Sequence, residues 1–351
     1  MHVPDGFIDA PVSIAAGVAA AGAVAVSLRG ARRELEDSAA PLAGLVAAFI
    51  FAVQMLNFPV AAGTSGHLLG GALAAILVGP YTGVLCVSVV LLMQGVLFAD
   101  GGLTALGVNV MNMAVVTVVV AYAVFRALVK VLPKTRRSVT AAAFTGALLS
   151  VPGAAVMFTL FYALGGTTDV PLGKVFTAMV GVHVLIGLGE AVITAATVGA
   201  VLAVRPDLVH GARGLSTPLK LRVGGELVDA PATAPAAPVA GPRSTRPVWI
   251  TGLLTALVLA GFVSYYASAS PDGLEKVAAD KGIDRNERQH AAAGSPLADY
   301  SVKDVTDTRL SGGLAGVIGV GATVAVGTGI FWTVRRRRAE DLTATSTSAA
   351  G

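Results

Sequence analysis

Long apolar runs separated by short polar segments constrain the fold of this chain more than any other feature of its sequence. A transmembrane helix needs about 20 consecutive apolar residues to cross the hydrocarbon core of a bilayer. Runs of about this length cover residues 11–29, 40–57, 81–98, 106–129, 139–164, 174–204, 247–267 and 311–334. Because a lipid-exposed backbone must satisfy its own hydrogen bonds, these runs predict an all-α integral membrane protein.

A further apolar segment, residues 66–79, is too short for an ordinary span, and Gly79-Pro80 separates it from the next run. We interpret it as a short or re-entrant helix, which brings the expected number of crossings to about nine. With the N-terminus outside, nine crossings place the clusters of lysine and arginine and the C-terminus in the cytoplasm, as the positive-inside tendency favours. These clusters are Arg29 to Arg33, Arg126 to Arg137, the basic residues of 205–246, and Arg335 to Arg338.

Composition excludes several other classes of protein. Apolar residues make up 54% of the chain and charged residues only 13%, whereas a soluble domain carries roughly 25% charged residues. The net charge of +4 does not indicate nucleic-acid binding, because the basic residues flank the apolar runs and orient them. Cys86, the only cysteine, lies inside an apolar run, so an intramolecular disulfide and a cysteine metal cluster are excluded.

A change of composition divides the chain into two membrane domains. Residues 1–204 contain seven of the expected crossings, and residues 247–338 form a two-helix hairpin around a polar external loop at 268–310. Between them, residues 205–246 are rich in Pro, Ala and scattered charge, which is typical of an extended cytoplasmic linker. The tail, residues 339–351, is rich in Thr, Ser and Ala and is expected to be disordered.

Two histidines at expected membrane boundaries form a candidate metal site. The terminal amine of Met1 and the peptide and ring nitrogens of His2 can close two adjacent chelate rings on one metal ion. His67, in a loop rich in Gly and Ser, could supply a fourth nitrogen in the same plane. Such a planar nitrogen set favours Ni²⁺ or Cu²⁺, with Co²⁺ next in the affinity order. The alternative is that His2 is a solvated terminal residue and that backbone groups satisfy His67.

No positive charge precedes the first apolar run, so we expect the N-terminus to be retained rather than cleaved as a signal peptide. Polar residues near the histidines are candidates for supporting them: Asp5, Asn57, Ser65, Asn109 and Asn112. Asp5 follows a proline in a turn sequence and could accept a hydrogen bond from an imidazole N–H. Asn109 and Asn112 lie on one face of a predicted helix, where they either support the site or hold helices together.

His183 and Glu190 lie two helical turns apart in the run 174–204. A carboxylate near the centre of a bilayer costs roughly 2.5 to 3.5 kcal/mol on insertion scales, so Glu190 requires a partner or a cavity. The residue serves either in proton coupling or in a structural hydrogen bond, and the sequence leaves both open. The chain contains neither a Gly-x-x-x-x-Gly-Lys-Ser/Thr phosphate loop nor a His-Glu-x-x-His metalloprotease motif, so any energy must come from other proteins.

Several stretches of the sequence resemble one known family. They are Met1-His-Val-Pro-Asp-Gly6, Asn57-Phe-Pro-Val60 with Gly63-Thr-Ser-Gly-His-Leu-Leu-Gly-Gly71, and Gly107-Val-Asn-Val-Met-Asn112. Together they are similar to the substrate-specific component CbiM/NikM of energy-coupling-factor transporters for cobalt and nickel, over residues 1–204. The stretch Pro271-Asp-Gly-Leu-Glu275 resembles the PDGLE motif of the small accessory component CbiN/NikN, here fused through the linker.

The resemblance implies a seven-helix subunit of a bacterial cytoplasmic membrane, in which Met1, His2 and His67 hold Co²⁺ or Ni²⁺ in a planar site that opens outward. The metal is then the transported substrate, and no cofactor or catalytic residue is expected. The implied partners are a CbiQ/NikQ-like transmembrane coupling protein, a CbiO/NikO-like cytoplasmic ATPase and membrane lipid, but no nucleic acid. The fused hairpin is expected to load or gate the metal, so its external loop should lie near the N-terminus and His67.

Two other functions compete with transport. An intramembrane metal-dependent hydrolase would need an open coordination position and a general base near His67, and the sequence provides none at a suitable spacing. A membrane scaffold with structural histidines would bind no metal, which a metal titration distinguishes. The sequence does not separate cobalt from nickel, because the same four nitrogens would serve either metal. It also does not show whether the ATPase is dedicated or shared.

Overall fold

The computed structural model describes residues 1–35, 39–61, 63–213, 220–223, 226–229 and 244–349. The α-helices in this part of the chain are α1 (Ala10–Glu34), α2 (Ala39–Gln54), α3 (Gly71–Val78), α4 (Pro80–Leu97), α5 (Leu106–Asn109), α6 (Thr117–Val131), α7 (Arg136–Gly165), α8 (Leu172–Val204), α9 (Arg246–Gly261), α10 (Gly273–Lys281) and α11 (Thr308–Ala349). A π-helical segment, Val110–Val116, joins α5 to α6. The described strands form two antiparallel pairs, β1 (Phe58–Ala61) with β2 (Thr64–Gly66) and β3 (Lys220–Val223) with β4 (Glu226–Asp229).

Seven helices among the described residues are long and apolar enough to cross a membrane: Ala10–Glu34, Pro80–Leu97, Leu106–Val131, Arg136–Gly165, Leu172–Val204, Arg246–Tyr266 and Thr308–Arg336. Two further apolar helices are shorter, since α2 has 16 residues and α3 has 8. Large apolar side chains such as Val18, Leu164 and Leu254 are exposed on the outer faces of the helices, where they can contact lipid tails. The all-α membrane class predicted from the apolar runs is confirmed.

Local capping signals set where α1 begins and ends. The side chain of Asp9 accepts a hydrogen bond from the Val12 N–H at 2.9 Å. Pro11 occupies the first turn, where a backbone N–H is not needed. Arg32 and Arg33 lie in the last turn, where positive charge interacts favourably with the helix dipole.

The short helix α3 shows how the segment 66–79, the ninth predicted crossing, runs through the protein. All eight residues of α3 are buried, and a helix of this length measures only about 12 Å. Gly79, with a φ of 102°, ends α3 and lets Pro80 begin α4 in a new direction. The Glu34 carboxylate at the end of α1 accepts a hydrogen bond from the Thr82 N–H at 2.7 Å, so α1 ends where α4 begins. The segment therefore runs, buried in protein, from the level of Glu190, midway along α8, to the end of the bundle where α1 ends.

The hairpin helices α9 and α11 pack against each other and against α2. Gly316 of α11 lies so close to the backbone of Ala260 in α9 that a Cβ atom would have no room. Gly44 of α2 lies equally close to Thr328 of α11. Close contact between small residues is a common source of helix association in membranes. The hairpin and the first seven crossings thus form one packed body.

The structure describes only part of the segment after α8, residues 205–246. The described part is not an extended linker throughout, because it contains a pair of antiparallel strands. The guanidinium of Arg205 binds the Asp207 carboxylate at 2.7 Å and the Ser244 carbonyl at 3.0 Å, which holds the two ends of the segment together. The strands β3 and β4 lie between these ends, whereas residues 214–219, 224–225 and 230–243 of the predicted linker lie outside the described residues.

The end of the chain differs from the disorder expected for residues 339–351. Helix α11 continues as far as Ala349. Composition alone indicated disorder because the tail is polar, yet its Ala, Leu and Glu residues have high intrinsic helix propensity. A helix that is already formed in the membrane span can therefore propagate into the tail without a new nucleation step.

Candidate metal centre

The first residues of the chain fold back into the helix bundle, and Asn109 holds them there. Its side chain accepts a hydrogen bond from the Val3 N–H at 2.7 Å and donates one to the Val3 carbonyl at 3.1 Å. The Gly102 N–H donates to the same carbonyl at 2.9 Å. Met1 and Val3 are buried, with 2% and 0% of their surfaces exposed. This clamp orders the terminus in advance, so a ligand does not have to supply the free energy of ordering it.

The nitrogen of Met1 lies 2.7 Å from Nε2 of His67. Nδ1 of the same ring lies 3.0 Å from the Leu68 carbonyl, which can only accept a hydrogen bond. Nδ1 therefore carries the proton, and the lone pair of Nε2 points at the terminal amine. Two adjacent nitrogens bound to one metal at about 2.0 to 2.1 Å lie roughly 2.9 Å apart, so the spacing observed here suits neighbouring metal ligands.

His2 packs against His67, but its ring nitrogens have other partners. The two rings are stacked with their centroids 5.2 Å apart and their planes inclined by 16°. Nδ1 of His2 lies 3.2 Å from a carboxylate oxygen of Asp100, and Nε2 lies 3.1 Å from the side-chain oxygen of Gln94. Burial lowers the pKa of His2 to about 4, against the opposing effect of Asp100, so the ring is neutral at pH 7.

A carboxylate from the hairpin enters the same site. Oδ2 of Asp272 lies 2.6 Å from the Met1 nitrogen and 3.6 Å from Nε2 of His67. Burial disfavours its charged form, but the terminal ammonium and His67 outweigh burial and hold the pKa of Asp272 well below its ordinary value. Asp272 is also the N-cap of α10, where it forms a reciprocal capping box with Glu275. In the sequence, the PDGLE stretch marks Asp272 as a residue of interest, although it does not indicate that Asp272 contacts Met1.

The loop that carries His67 rests on Glu190. The Glu190 carboxylate accepts hydrogen bonds from the Leu69 N–H at 2.6 Å and from the Gly70 N–H at 3.2 Å. Gln54 donates to the Leu69 carbonyl at 3.0 Å. Of the two roles left open for Glu190, these contacts favour the structural hydrogen bond, made to a loop backbone rather than to a neighbouring helix.

The other candidate supporting residues have different partners from those suggested by the sequence. Asp5, proposed as an acceptor for an imidazole, accepts from the Thr104 N–H at 2.8 Å instead. Ser65 donates to the Ser270 carbonyl at 2.7 Å and so binds the hairpin rather than His67.

The side chains of the remaining two candidates, Asn57 and Asn112, form no hydrogen bond with a histidine in the part of the chain that the structure describes. The Asn57 carbonyl accepts from the Ser268 N–H at 2.7 Å, which is a further contact with the hairpin. Both side-chain polar atoms of Asn112, which lies in the π-helical segment, are buried without a partner among the described residues. Nε2 of His183 is likewise buried without a hydrogen-bond partner among the described residues, while its Nδ1 lies 2.7 Å from the Met179 carbonyl.

The loop of the hairpin, residues 268–310, covers the N-terminal segment and the loop of His67. The Arg288 N–H donates to the Asp5 carbonyl at 2.8 Å, and the Tyr300 hydroxyl donates to Asp100 at 2.6 Å. Between the loop and the bundle lies a cavity of about 950 Å³ that reaches His2, His67 and Asp272. Its lining includes seven acidic side chains against two arginines: Asp5, Asp100, Asp272, Glu275, Asp284, Glu287 and Asp299, with Arg288 and Arg309. An acidic cleft of this kind concentrates cations.

The chemistry of the site depends on the terminal amine. Among the described residues, no group of three or more His, Cys, Asp or Glu side chains is placed to hold a metal ion. The Met1 amine, Nε2 of His67 and the Asp272 carboxylate meet at one point and form a donor set of nitrogen and oxygen that suits a divalent transition metal. The ring nitrogens of His2 face Asp100 and Gln94 instead.

Comparison with known proteins agrees with this chemistry. The sequence profile of the family CbiM, described as the cobalt uptake substrate-specific transmembrane region, matches residues 2–208. That of the PDGLE domain matches residues 246–336. A protein of Haloquadratum walsbyi assigned to metal transport is 40% identical over 209 residues, which cover 60% of this chain and 93% of that protein.

Two further relatives support the same grouping. A fused nickel transport protein NikMN of Rhodobacter capsulatus is 36% identical over 231 residues, covering 62% of this chain and 66% of that protein. The crystal structure of a truncated transition metal transporter superposes with a TM-score of 0.51 at 27% identity, covering 58% of this chain and 99% of that one.

Proposed function

Because the chain belongs to the CbiM family of cobalt uptake substrate-specific transmembrane regions and carries a PDGLE domain, we propose that it is the substrate-binding subunit of an energy-coupling-factor importer for Co²⁺ or Ni²⁺. It is a multi-pass membrane component of cobalt or nickel transport. The metal is its transported substrate, and no cofactor is required for binding.

The proposed metal ligands are the Met1 amine, the peptide and ring nitrogens of His2, and Nε2 of His67. The observation that carries the proposal is the 2.7 Å separation of the Met1 nitrogen and His67 Nε2, with the Nε2 lone pair directed at the amine. The peptide nitrogen of His2 follows the amine directly in the chain. The His2 ring joins this set by turning away from Asp100 and Gln94, and because the ring is neutral its nitrogen is available to a metal.

The proposed orientation places the N-terminus outside and the C-terminus in the cytoplasm of a bacterial cytoplasmic membrane. Arg32 and Arg33 at the end of α1 and Arg335 at the end of the α11 span then face inward, as the positive-inside tendency favours. The metal enters from outside through the acidic cavity beneath the hairpin loop. This arrangement also places the buried metal site on the side from which an importer collects its substrate.

Transport by this subunit requires partners that supply energy. The sequence contains no phosphate-binding loop, so we assign ATP hydrolysis to a CbiO/NikO-like cytoplasmic ATPase, coupled through a CbiQ/NikQ-like membrane protein. The chain itself is then a binding subunit and not an enzyme.

The test is uptake of labelled cobalt and nickel by cells that produce this chain with its coupling protein and ATPase. We expect uptake of one or both metals above that of cells lacking only this chain. A matched strain producing His67→Ala separates metal capture from the mere presence of the complex. Equal uptake by all three strains would overturn the proposal.

A further inference from the structure

Asp272 lies between the acidic cavity and the buried nitrogen of Met1. It lines the outer cavity, the large acidic cavity that lies beneath the hairpin loop. It also lines a narrow inner crevice that is too small to hold a water molecule, together with Met1, His67 and His183. A cation in the outer cavity therefore meets the Asp272 carboxylate beside the Met1 nitrogen.

The carboxylate already touches the two donors that we propose as metal ligands. Its Oδ2 atom lies 2.6 Å from the Met1 nitrogen and 3.6 Å from Nε2 of His67. A metal ion bound to Oδ2 needs only a small displacement to reach both nitrogens. Its other oxygen, Oδ1, accepts the Glu275 N–H at 2.8 Å, so one oxygen is fixed to the protein and the other is directed into the site.

The hairpin backbone is fixed in the position that this contact requires. Ser65, two residues before His67, donates its N–H to the Pro271 carbonyl at 2.9 Å and its hydroxyl to the Ser270 carbonyl at 2.7 Å. Gly273 lies against Ile186, where an added Cβ would come within 2.7 Å of the Ile186 Cδ1 atom. The hairpin therefore contacts the histidine loop directly, and a side chain at position 273 would push Asp272 away.

We propose that Asp272 is a relay ligand, a carboxylate of the fused hairpin that binds the incoming divalent cation in the outer cavity and passes it to Met1 and His67. The inference rests on the proposed function and assigns one residue of the hairpin a direct part in metal entry. Oxygen ligands bind hydrated cations readily, whereas the nitrogen set provides the selectivity for a transition metal. As the nitrogens bind, the proton displaced from the amine and the proton displaced from the His2 peptide nitrogen both pass to water in the outer cavity.

The relay is tested by the kinetics of metal binding to the full-length, metal-free protein with an unmodified N-terminus, using Ni²⁺ and Co²⁺ as separate probes in stopped-flow measurements. Asp272→Asn removes the charge but keeps an oxygen that can cap α10, since Asn is as good an N-cap as Asp. Asp272→Glu keeps a carboxylate. Asp280→Asn removes a charge from the same helix, α10, outside the acidic cavity and serves as the matched control.

For Asp272→Asn we expect the association rate to fall about tenfold or more, as loss of a steering and capturing charge can cause. Dissociation should slow in proportion, leaving Kd within about threefold of the wild-type value. Asp272→Glu should lie closer to the wild type, and Asp280→Asn should match it. Ser also caps a helix well, so Asp272→Ser replaces Asp272→Asn if the Asn variant unfolds at a lower temperature than the wild type.

Three results would overturn the relay. An unchanged association rate would show that Asp272 takes no part in entry. A faster rate would show that it blocks the site, and a weaker Kd at an unchanged association rate would make it a permanent ligand. If the unmodified protein bound neither metal, the proposed function would fail together with the relay, which is distinct from failure of the variant alone.

Discussion

The Met1 nitrogen and Nε2 of His67, 66 positions apart in the sequence, lie 2.7 Å from each other in a buried site. Nothing local in the chain brings them together. Asn109 holds the backbone next to Met1, and Glu190 holds the backbone next to His67.

Extending the chain by one residue before Met1 should abolish Ni²⁺ and Co²⁺ binding. The added peptide bond converts the Met1 amine into an amide, and the buried terminus leaves no room to accommodate it. Isothermal titration calorimetry on the extended protein measures the loss, and an added C-terminal residue is the control. Normal binding by a protein whose extension is verified by intact-mass spectrometry would contradict the proposed chelate.

His67→Ala and His2→Ala should each remove measurable metal binding while leaving the protein folded and inserted. Both side chains border the acidic cavity, where water can replace a lost partner. The readouts are calorimetric titration with Ni²⁺ and the thermal unfolding midpoint in detergent. His290→Ala, which lines the same cavity, should keep its affinity, so a loss of binding in all three variants would point to a general defect rather than to ligation.

Glu190→Gln should weaken metal binding about tenfold, in the range seen when an outer-shell partner of a ligand is lost. The amide can accept through only one oxygen, so one of the Leu69 and Gly70 N–H groups loses its partner and the His67 loop loosens. An unpaired buried N–H also costs about 1 to 3 kcal/mol of stability. Metal titration and thermal unfolding of the same samples separate these effects. Unchanged affinity would show that the loop needs no such support.

Asn109→Leu should release the N-terminal segment, because both hydrogen bonds to Val3 disappear. We expect faster hydrogen exchange at the Val3 amide and roughly a tenfold loss of metal affinity. Asn112→Leu is the matched control, since Asn112 has no partner for its side chain among the described residues. Equal effects of the two substitutions would argue against the clamp.

The docking of the metal-free N-terminus should weaken as pH falls from about 6.5 to about 4. Burial lowers the pKa of His2 from 6.5 to about 4 in the folded protein, so in this interval only a detached terminus binds the proton. The free energy of docking is therefore fully present above pH 6.5, the pKa of His2 in a detached terminus. It decreases as the pH falls toward about 4, the pKa of His2 in the folded protein. Hydrogen exchange at Val3, corrected for its intrinsic pH dependence, measures the effect, and His2→Gln should remove it. An unchanged profile in His2→Gln would assign the effect to another group.

Much of the fold was predictable because it depends on local properties of the sequence. The apolar runs predicted the membrane helices, and the turn at Gly79-Pro80 predicted the break between α3 and α4. Chelate chemistry singled out Met1, His2 and His67 because two of these residues adjoin in the chain. The PDGLE stretch indicated the hairpin, and its residue pattern contains the capping box of α10.

Other features exist only once the helices pack. Asp272 reaches Met1 across 271 positions, Glu190 reaches Leu69 across 121, and Asn109 reaches Val3 across 106. Helical periodicity indicates which side chains share a face, but it does not specify which distant segment that face will meet. A buried carboxylate or amide forms hydrogen bonds with whichever donors the neighbouring segments place beside it, because leaving it unpaired costs free energy. The sequence by itself determined the membrane helices and suggested the nitrogen donors, whereas the tertiary structure decided that a hairpin carboxylate would meet the Met1 nitrogen.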